Sequence, residues 1–519
     1  MLELTIGGLV ERSARSYGPR VAIVAGDRRI TYAEMIARVR QAGRALLGLG
    51  LQPGDRVALL MPDRPEVLYA YYGALWAGLA VVPLNAKLGP EDQEYILTDS
   101  GARAVVHDAA YAERLAAFAG GVEFKLSVDA AGVLDGGQDF AALCAAQPDG
   151  PGAPPVGPAD LFGIYYTGGT TGRPKGVAHS HRTFSSALIS ELLELGLGER
   201  DVFAHVAPLT HASGAFVLPV WMRGGANVVL GGFDPGRLLD TIAAERVTAT
   251  LLVPTMLYVL LDHPAMAGAD TSTLQTVVYG AAPMGQERLL QGLDRFGPVF
   301  AQLYGQTEAP NQLTVLRKDD HAEALRTGDL TPLASCGRPV AIAEVRIADD
   351  DLKDVPDGEP GEIVARGPHI MLGYWNRPEE TAASLRDGWL CTGDVAKTDE
   401  RGFLYIVDRK KDMIISGGFN VYPKDVESAL FAHPAVRDAC VIGVPDEKWG
   451  EAVKAVVVLD PSATVTPAEL QAWVKERKGA VNSPKTVDFV EAIPLTAVGK
   501  HDKPALRAQY WGGRTRAVN

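Results

Sequence analysis

The chain has 519 residues, 47% of them hydrophobic and 22% charged, with a formal net charge of −13. That length exceeds what one hydrophobic core organises and implies more than one domain, and the composition excludes a wholly disordered chain. The acidic balance, with a pI near 5.3, argues against a general nucleic-acid binder, which needs a basic face.

Cys144, Cys336, Cys391 and Cys440 stand far apart in the sequence. No metal-ligand spacing arises, and scattered thiols in a long chain fit a reducing compartment. The N-terminal stretch MLELTIGGLVERSARSYG lacks the basic start and long apolar run of a signal peptide. The most apolar stretch, 71–84, is too short to span a bilayer and is interrupted by Gly73 and Gly78. A cytoplasmic protein with no transmembrane segment and no nucleic-acid partner is expected.

In chain order, Thr31 and Glu34 form a T-x-x-E capping box. Met35, Ile36, Val39, Ala42, Leu46 and Leu47 follow at helical spacing, and Gly48 and Gly50 end the helix. Pro53-Gly54-Asp55 makes a turn. A buried strand is predicted over 56–61, a helix over 65–77 and a strand over 79–83. This βαβ rhythm implies a mostly parallel sheet with helices on both faces. The stretch AAQPDGPGAPPVGPAD at 145–160 reads as a surface connector delivering the chain to a strand at 161–166. Helix–strand alternation continues to about residue 330. From 337 to about 408, short strand runs at 343–347, 361–365 and 402–407 are separated by Gly, Pro and Asp turns, which predicts a small β-rich subdomain. Beyond 408 the pattern is α+β, with helices over 424–431 and 467–478. No internal repeat is present.

The string YTGGTTGRPKGV at 166–177 concentrates glycine, threonine and Lys175. Glycines let backbone N–H groups approach an anion, hydroxyls add donors, and lysine adds positive charge, so the loop suits a polyphosphate. It is not a Walker A loop, because Pro174 precedes Lys175 and Gly176 follows it. Gly499-Lys500 is followed by His501 and also fails that pattern. A P-loop kinase or ATPase is disfavoured. A generic Gly/Thr-rich stretch also fits a plain turn between strands.

The full string resembles the phosphate loop of the adenylate-forming superfamily, which contains acyl-CoA synthetases, peptide-synthetase adenylation domains and firefly luciferase. Gly168 stands where that family often has Ser. Further motifs follow in the family's order: APLTHASG at 207–214, YGAAP at 279–283, LYGQTEA at 303–309, GEIVARGPHIMLGYWNRPEET at 361–381, GWLCTGDVA at 388–396, DRKKDMIISGGFNVYP at 408–423 and PLTAVGKHDK at 494–503. VNSPK at 481–485 departs from the common YK-x-PK pattern, lacking the Tyr and Lys that the resemblance implies for a contact to substrate or CoA phosphate.

The resemblance implies an α/β fold with three parts. These are a large N-terminal domain of parallel α/β sheets, a small β-rich subdomain, and a small mobile α+β C-terminal domain. The implied limits are 1–408 for the AMP-binding domain, 409–411 for a hinge and 412–519 for the mobile domain. Thr167, Gly168, Gly169, Thr170, Thr171, Gly172 and Lys175 would hold ATP phosphates. Gly280, Ala281, Ala282, Tyr304 and Gly305 would lie against adenine, and Asp394 and Arg409 against ribose. Thr307 would approach the α-phosphate, Glu308 and Thr170 would hold Mg²⁺, and Lys500 would drive adenylation. Lys411 occupies the hinge position, and Gly417 and Gly418 belong to the loop facing the thiol tunnel. His211 stands where the family gates that tunnel. Phe184, His211, Ser213, Val253, Leu303 and Pro310 mark the acyl pocket, while the string at 361–381 takes a scaffold role.

The implied activity is AMP-forming acyl-CoA synthesis from ATP, CoA and a medium-chain fatty or aromatic monocarboxylic acid. Loading of a separate carrier protein, or luciferase-like oxidation of the adenylate, are the alternatives. A homodimer is compatible with this reading.

Overall fold

The computed structural model describes residues 4–167, 173–282, 284–417, 419–446, 448–461, 463–496 and 501–511. The chain divides into two compact units: Met1–Val345 with Ala365–Leu390, and Arg346–Val364 with Cys391–Asn519.

In the first unit the capping box forms as the sequence requires. The Thr31 side chain accepts from the Glu34 N–H, and the Glu34 carboxylate accepts from the Thr31 N–H at 2.8 Å. The helix Tyr32–Gly48 buries Met35, Ile36, Val39, Ala42 and Leu46 on one face. That face packs against the helix Pro65–Trp76 with almost no clearance. A Cβ on Gly43 would lie 2.6 Å from Trp76 Cε3, and one on Gly73 would lie 2.7 Å from Ala42 Cβ. Alanine at either position would push the helices apart. Trp76 is buried, and its indole N–H donates to Glu11 Oε1 at 2.8 Å, so the ring gives up water without losing its hydrogen bond.

Two sheets form the core of this unit. The eight-stranded sheet runs Gly373–Tyr374, Lys175–Ser180, Leu161–Thr167, Ala80–Pro83, Arg56–Leu60, Ala102–His107, Phe124–Ser127, Gln138–Asp139. It is parallel from Leu161–Thr167 onward, as the βαβ rhythm implies, and antiparallel at the other end. The antiparallel pair is forced by length: the short loop 168–174 can reverse the chain but cannot make a parallel crossover. The nine-stranded sheet runs Arg338–Pro339, Ala309–Leu316, Phe300–Gln306, Thr276–Gly280, Ala249–Leu251, Val202–His205, Ala226–Val229, Val21–Ala25, Arg28–Thr31. Its interior pairs are parallel and its ends antiparallel. Val57, Leu59, Val81 and Val106 are fully buried, each such side chain contributing roughly 1.5–3 kcal/mol.

The stretch 146–160 carries no helix or strand. Arg40 and Arg44 pin it by donating to the carbonyls of Pro148, Asp149, Gly150 and Pro151.

Trp389–Thr398 pairs antiparallel with Leu404–Arg409, aligning Asp394 with Arg409, both of the second unit. A second sheet runs Phe419–Val421, Ile414–Ser416, Gly450–Leu459, Val436–Asp446, with Thr486–Phe489 parallel to Gly450–Leu459. The helices Pro423–Phe431 and Pro467–Asn482 bury Val426, Leu430, Leu470 and Val474 against it. The helix expected to stop at 478 is broken at Gly479, whose φ of +83° is non-helical, before a last turn to Asn482. No helix among the described residues is long and apolar enough to cross a membrane.

Candidate active site

The string expected to hold polyphosphate is flanked by the paired strands Leu161–Thr167 and Lys175–Ser180. Thr167 pairs with Lys175 across the hairpin, while Gly168, Gly169, Thr170, Thr171 and Gly172 lie outside the described residues. Lys175 is half-buried and ion-paired with Glu380. Its Nζ lies 5.3 Å from the centroid of the Tyr374 ring, within range of a cation–π attraction. The Tyr374 hydroxyl in turn donates to Glu308 Oε1 at 2.7 Å. Tyr374 belongs to the strand Gly373–Tyr374, which pairs with Val177 and Ala178 just beyond the loop.

Thr307 and Glu308 form the tip of a β-hairpin. Gln306 pairs with Ala309, and the strands Phe300–Gln306 and Ala309–Leu316 run antiparallel on either side. A helix start, the ordinary alternative for a T-E pair, does not form there. The tip is held from several sides. His179 Nε2 lies 2.8 Å from the Thr307 carbonyl, and since a carbonyl only accepts, Nε2 carries the proton. The Met371 N–H donates to the Glu308 carbonyl at 2.8 Å. Burial holds the His179 imidazole down to about 4, so it is a neutral strut. The family motifs do not single out His179, and they leave Tyr374 inside a scaffold string. The structure brings both against the tip.

The segments YGAAP and LYGQTEA run side by side, with Gly280 in register with Leu303. Glycine at 280 is demanded by the protein itself: a Cβ there would lie 2.3 Å from the Leu303 carbonyl oxygen. At Gly305 it would lie 2.5 Å from the Asn311 carbonyl carbon. These glycines are thus explained by strand packing before any nucleotide is considered. Ala281 adopts φ +63°, a strained conformation for a non-glycine residue and one found at functional loops. Tyr304 is half-buried in the strand opposite Thr314, and Ala282 is half-buried beside Ala281.

Phe184 is buried and stacks on Phe162, with centroids 4.0 Å apart, and on Tyr165 at 5.9 Å. Leu303 packs with Ala207, Leu251 and Ala212. Pro310 is buried, and half-buried Val253 precedes the helix Pro254–Leu261. Ser213 is fully enclosed, with its hydroxyl 2.9 Å from His205 Nδ1. His211 begins the short helix Ala212–Ala215. It is exposed, yet crowding by protein atoms and the charge of Lys87 lower its pKa.

In the second unit Asp394 is buried and ion-paired with Arg409, whose Nε lies 3.2 Å from its Oδ1. Its backbone N–H donates to Thr392 Oγ1 at 3.1 Å. Lys411 is exposed, but desolvation by its neighbours and then the charge of Arg409 push it down to about 8. The turn containing it is fixed by buried Asp408, which accepts the Lys424 N–H at 2.8 Å, and by Asp412, which accepts from Arg507 at 2.7 Å. Gly417 donates its N–H to the Trp449 carbonyl at 2.8 Å, and a Cβ there would lie 2.5 Å from the Trp449 ring. Gly418 and Lys500 lie outside the described residues.

Comparison with known proteins bears directly on this arrangement. A family model for AMP-binding enzymes matches residues 10–375, and one for the AMP-binding enzyme C-terminal domain matches residues 425–500. The chain belongs to the AMP-binding enzyme family. A medium/long-chain-fatty-acid–CoA ligase of Mycobacterium tuberculosis is 42% identical, covering 99% of this chain and 91% of its own length. A feruloyl-CoA synthase of an Amycolatopsis species is 40% identical, covering 97% and 99%. The solved structure of an amide bond synthetase from Marinactinospora thermotolerans superposes with a TM-score of 0.87 at 34% identity, covering 97% of this chain and 100% of that one. The enzyme is an acyl-CoA synthetase, an acid–thiol ligase with ATP and CoA as substrates, built on the adenylate-forming fold.

Proposed function

We propose that this ligase activates a medium-chain or aromatic monocarboxylic acid as its acyl-adenylate and passes the acyl group to CoA. The observation that carries the site assignment is the continuous chain Glu380–Lys175–Tyr374–Glu308. It ties the lysine of the phosphate loop to the hairpin tip bearing Thr307 and Glu308.

A carboxylate is a poor electrophile toward a thiol. Joining it to AMP gives the carbonyl a leaving group and splits one difficult substitution into two easier ones. A substrate carboxylate oxygen attacks the α-phosphorus, and the bond to pyrophosphate breaks with its electron pair leaving on pyrophosphate. The CoA thiolate then attacks the acyl carbon, and AMP departs.

Charge building on the phosphate oxygens is met by Thr307, Lys500 and the donors of residues 167–172, with Lys175 placed by Glu380 and Tyr374. Glu308 suits Mg²⁺: it is a half-buried carboxylate at a hairpin tip, and this ion binds through one or two carboxylates plus substrate phosphates and water. Thr170 would be the other protein ligand, and the bound ion would neutralise phosphate charge. Gly280–Ala282, Tyr304 and Gly305 face adenine, while Asp394 and Arg409 hold ribose. His211 gates the thiol path. Rotation of residues 412–519 about Lys411 exchanges Lys500 for the loop Gly417–Gly418 between the two steps.

The acid is read from the pocket walls. Phe184 with Phe162 and Tyr165 forms an aromatic stack, and Leu303 and Pro310 are apolar. None of the six pocket positions is Lys or Arg, Lys87 acting on the pocket only from beside His211, and the Ser213 hydroxyl is engaged by His205. A flat or hydrocarbon tail fits such walls. The two curated relatives described above are named for medium/long-chain fatty acids and for feruloyl-CoA.

The test is AMP release and acyl-CoA formation with ATP, Mg²⁺ and CoA across a panel of acids. AMP release that requires both acid and CoA, highest for medium-chain or aromatic monocarboxylates, supports the reading. Preference for a dicarboxylate, or product on a carrier protein but none on CoA, overturns it.

A further inference from the structure

The helix His181–Leu195 turns Phe184, Leu188 and Glu191 inward. Glu191 is 0% exposed, and carboxylates are rarely found so deep without a cation. Among the described residues no Lys, Arg or His is ion-paired with it. Its partner is Asn311, whose Nδ2–H donates to Glu191 Oε1 at 2.6 Å and leans toward the Ala212 carbonyl at 3.4 Å. Glu191 Oε2 is buried without a partner. Asn311 itself sits at φ +61°, a left-handed conformation that asparagine tolerates when its side chain is held locally. One amide thus joins three segments: the inner helix, the strand Ala309–Leu316 beyond the Thr307–Glu308 tip, and the short helix after His211.

We propose that protonated Glu191 is a positioning residue for the acyl pocket, acting through Asn311 to fix Pro310 against Ala212 and Ser213, and that its ionisation weakens binding of the acid substrate. The inference rests on the acyl-pocket assignment made above. In the neutral carboxyl, Oε1 accepts from Asn311 and Oε2 carries the proton. Loss of that proton would place a bare charge between apolar walls, and water or a shifted Asn311 would have to answer it.

Burial pushes the Glu191 carboxyl up to about 8, against the opposing effect of the Asn311 hydrogen bond. The surroundings do not offset this. The strand Ala309–Leu316 and the helices Ala212–Ala215 and Val217–Met222 carry no titratable side chain. Tyr72, from the helix Pro65–Trp76, faces it as a neutral phenol raised well above its ordinary value. On neighbouring strands Tyr165 is also raised by burial, while burial keeps His179 and His205 neutral. Lys175 is committed to Glu380, and Glu194 of the same helix to Arg317. The remaining groups of that helix are buried, neutral His181 and partly buried Arg182 near its start.

The experiment measures acid-dependent ATP–pyrophosphate exchange for the wild type, E191Q and E191A from pH 6.5 to 9, separating KM for the acid from the maximal rate. In the wild type, KM should rise several-fold between pH 7 and 9 with a smaller change in rate. E191Q, neutral at every pH, should flatten that rise, and E191A should raise KM several-fold throughout. An alkaline rise kept in E191Q, or an E191A profile identical to wild type, overturns the proposal. A second readout does not need turnover. Because the folded carboxyl keeps its proton to about pH 8 and the unfolded one releases it near 4.5, wild-type stability should fall relative to E191Q as pH rises through that window. A constant difference in Tm between pH 5 and 8 overturns protonated Glu191. If the wild type exchanges pyrophosphate with no acid at all while the Tm difference grows as expected, it is the adenylation reading that fails.

Discussion

Tyr374 donates its hydroxyl to Glu308 Oε1 at 2.7 Å while its ring lies 5.3 Å beneath the Lys175 ammonium. One side chain therefore sets the distance between the cation of the phosphate loop and the carboxylate at the hairpin tip. Replacing it with phenylalanine keeps the ring and removes the hydrogen bond. A hydrogen bond to a charged group contributes about 1.5–3 kcal/mol. Y374F should therefore slow adenylation about 10- to 100-fold and raise the Mg²⁺ concentration needed for half-maximal rate. Pyrophosphate exchange titrated with Mg²⁺ measures both. An unchanged Mg²⁺ requirement would remove Tyr374 from the site.

The pair Asp394–Arg409 makes a different demand. Asp394 is 5% exposed and ion-paired with Arg409, Nε to Oδ1 3.2 Å, the pair proposed to hold the ribose. D394N keeps the shape but loses the charge that makes its hydrogen bonds strong. KM for ATP should rise about tenfold or more, the scale of about 1.4 kcal/mol or more, with KM for CoA changing little. Initial rates at varied ATP check this.

Legibility of the site from sequence followed the range of its interactions. The Gly/Thr-rich string, the T-E tip and the TGD signature are contiguous strings; the tip and the TGD residues lie on paired strands, as do Thr167 and Lys175 on either side of 168–172. Gly280 and Gly305 are readable as necessary glycines, although neighbouring backbone supplies the immediate reason. Tyr374 and Glu308 stand far apart in the chain and meet because Gly373–Tyr374 adds itself to the strand after the phosphate loop. No local periodicity encodes that pairing. Glu191 was hidden differently: it continues the buried face of Phe184 and Leu188, where a helical pattern predicts an apolar residue. The parallel sheet centres and the β-rich stretch after 337 were legible, since both rest on short-range pattern. The antiparallel sheet ends were not, because strand order is set by tertiary packing.

Buried imidazoles make stability depend on acid pH. Burial holds His179, His181, His205, His321 and His369 down to about 4, against 6.5 for an ordinary imidazole. Between those values the unfolded chain binds protons that the folded one refuses. The contribution of these histidines is therefore full above about pH 6.5 and falls as pH drops toward 4, by up to about 1.4 kcal/mol per pH unit for each such group. Tm should decline across that window. H369Q should make the decline shallower, and proton uptake on unfolding at pH 5 should drop by about one. A slope unaltered by the substitution would refute a neutral His369.

The two lysines assigned to opposite steps give the sharpest test of domain alternation. Lys500 lies in PLTAVGKHDK at the position proposed for the adenylation lysine, a role that calls for its charge only while the α-phosphate is attacked. K500A should cut pyrophosphate exchange by at least ~100-fold, the effect of removing one preorganised charge-stabilising donor. Thioester formation from supplied acyl-adenylate and CoA should persist, since that step loses AMP without forming new phosphate charge. Lys411 lies in a turn fixed by Asp408 and Asp412, and proline there restricts the backbone torsion a hinge must change. K411P should slow thioester formation more than adenylation, the reverse of K500A. Equal loss in both half-reactions for either variant would mean that one arrangement of the chain serves both steps, and the hinge at 409–411 would have to be abandoned.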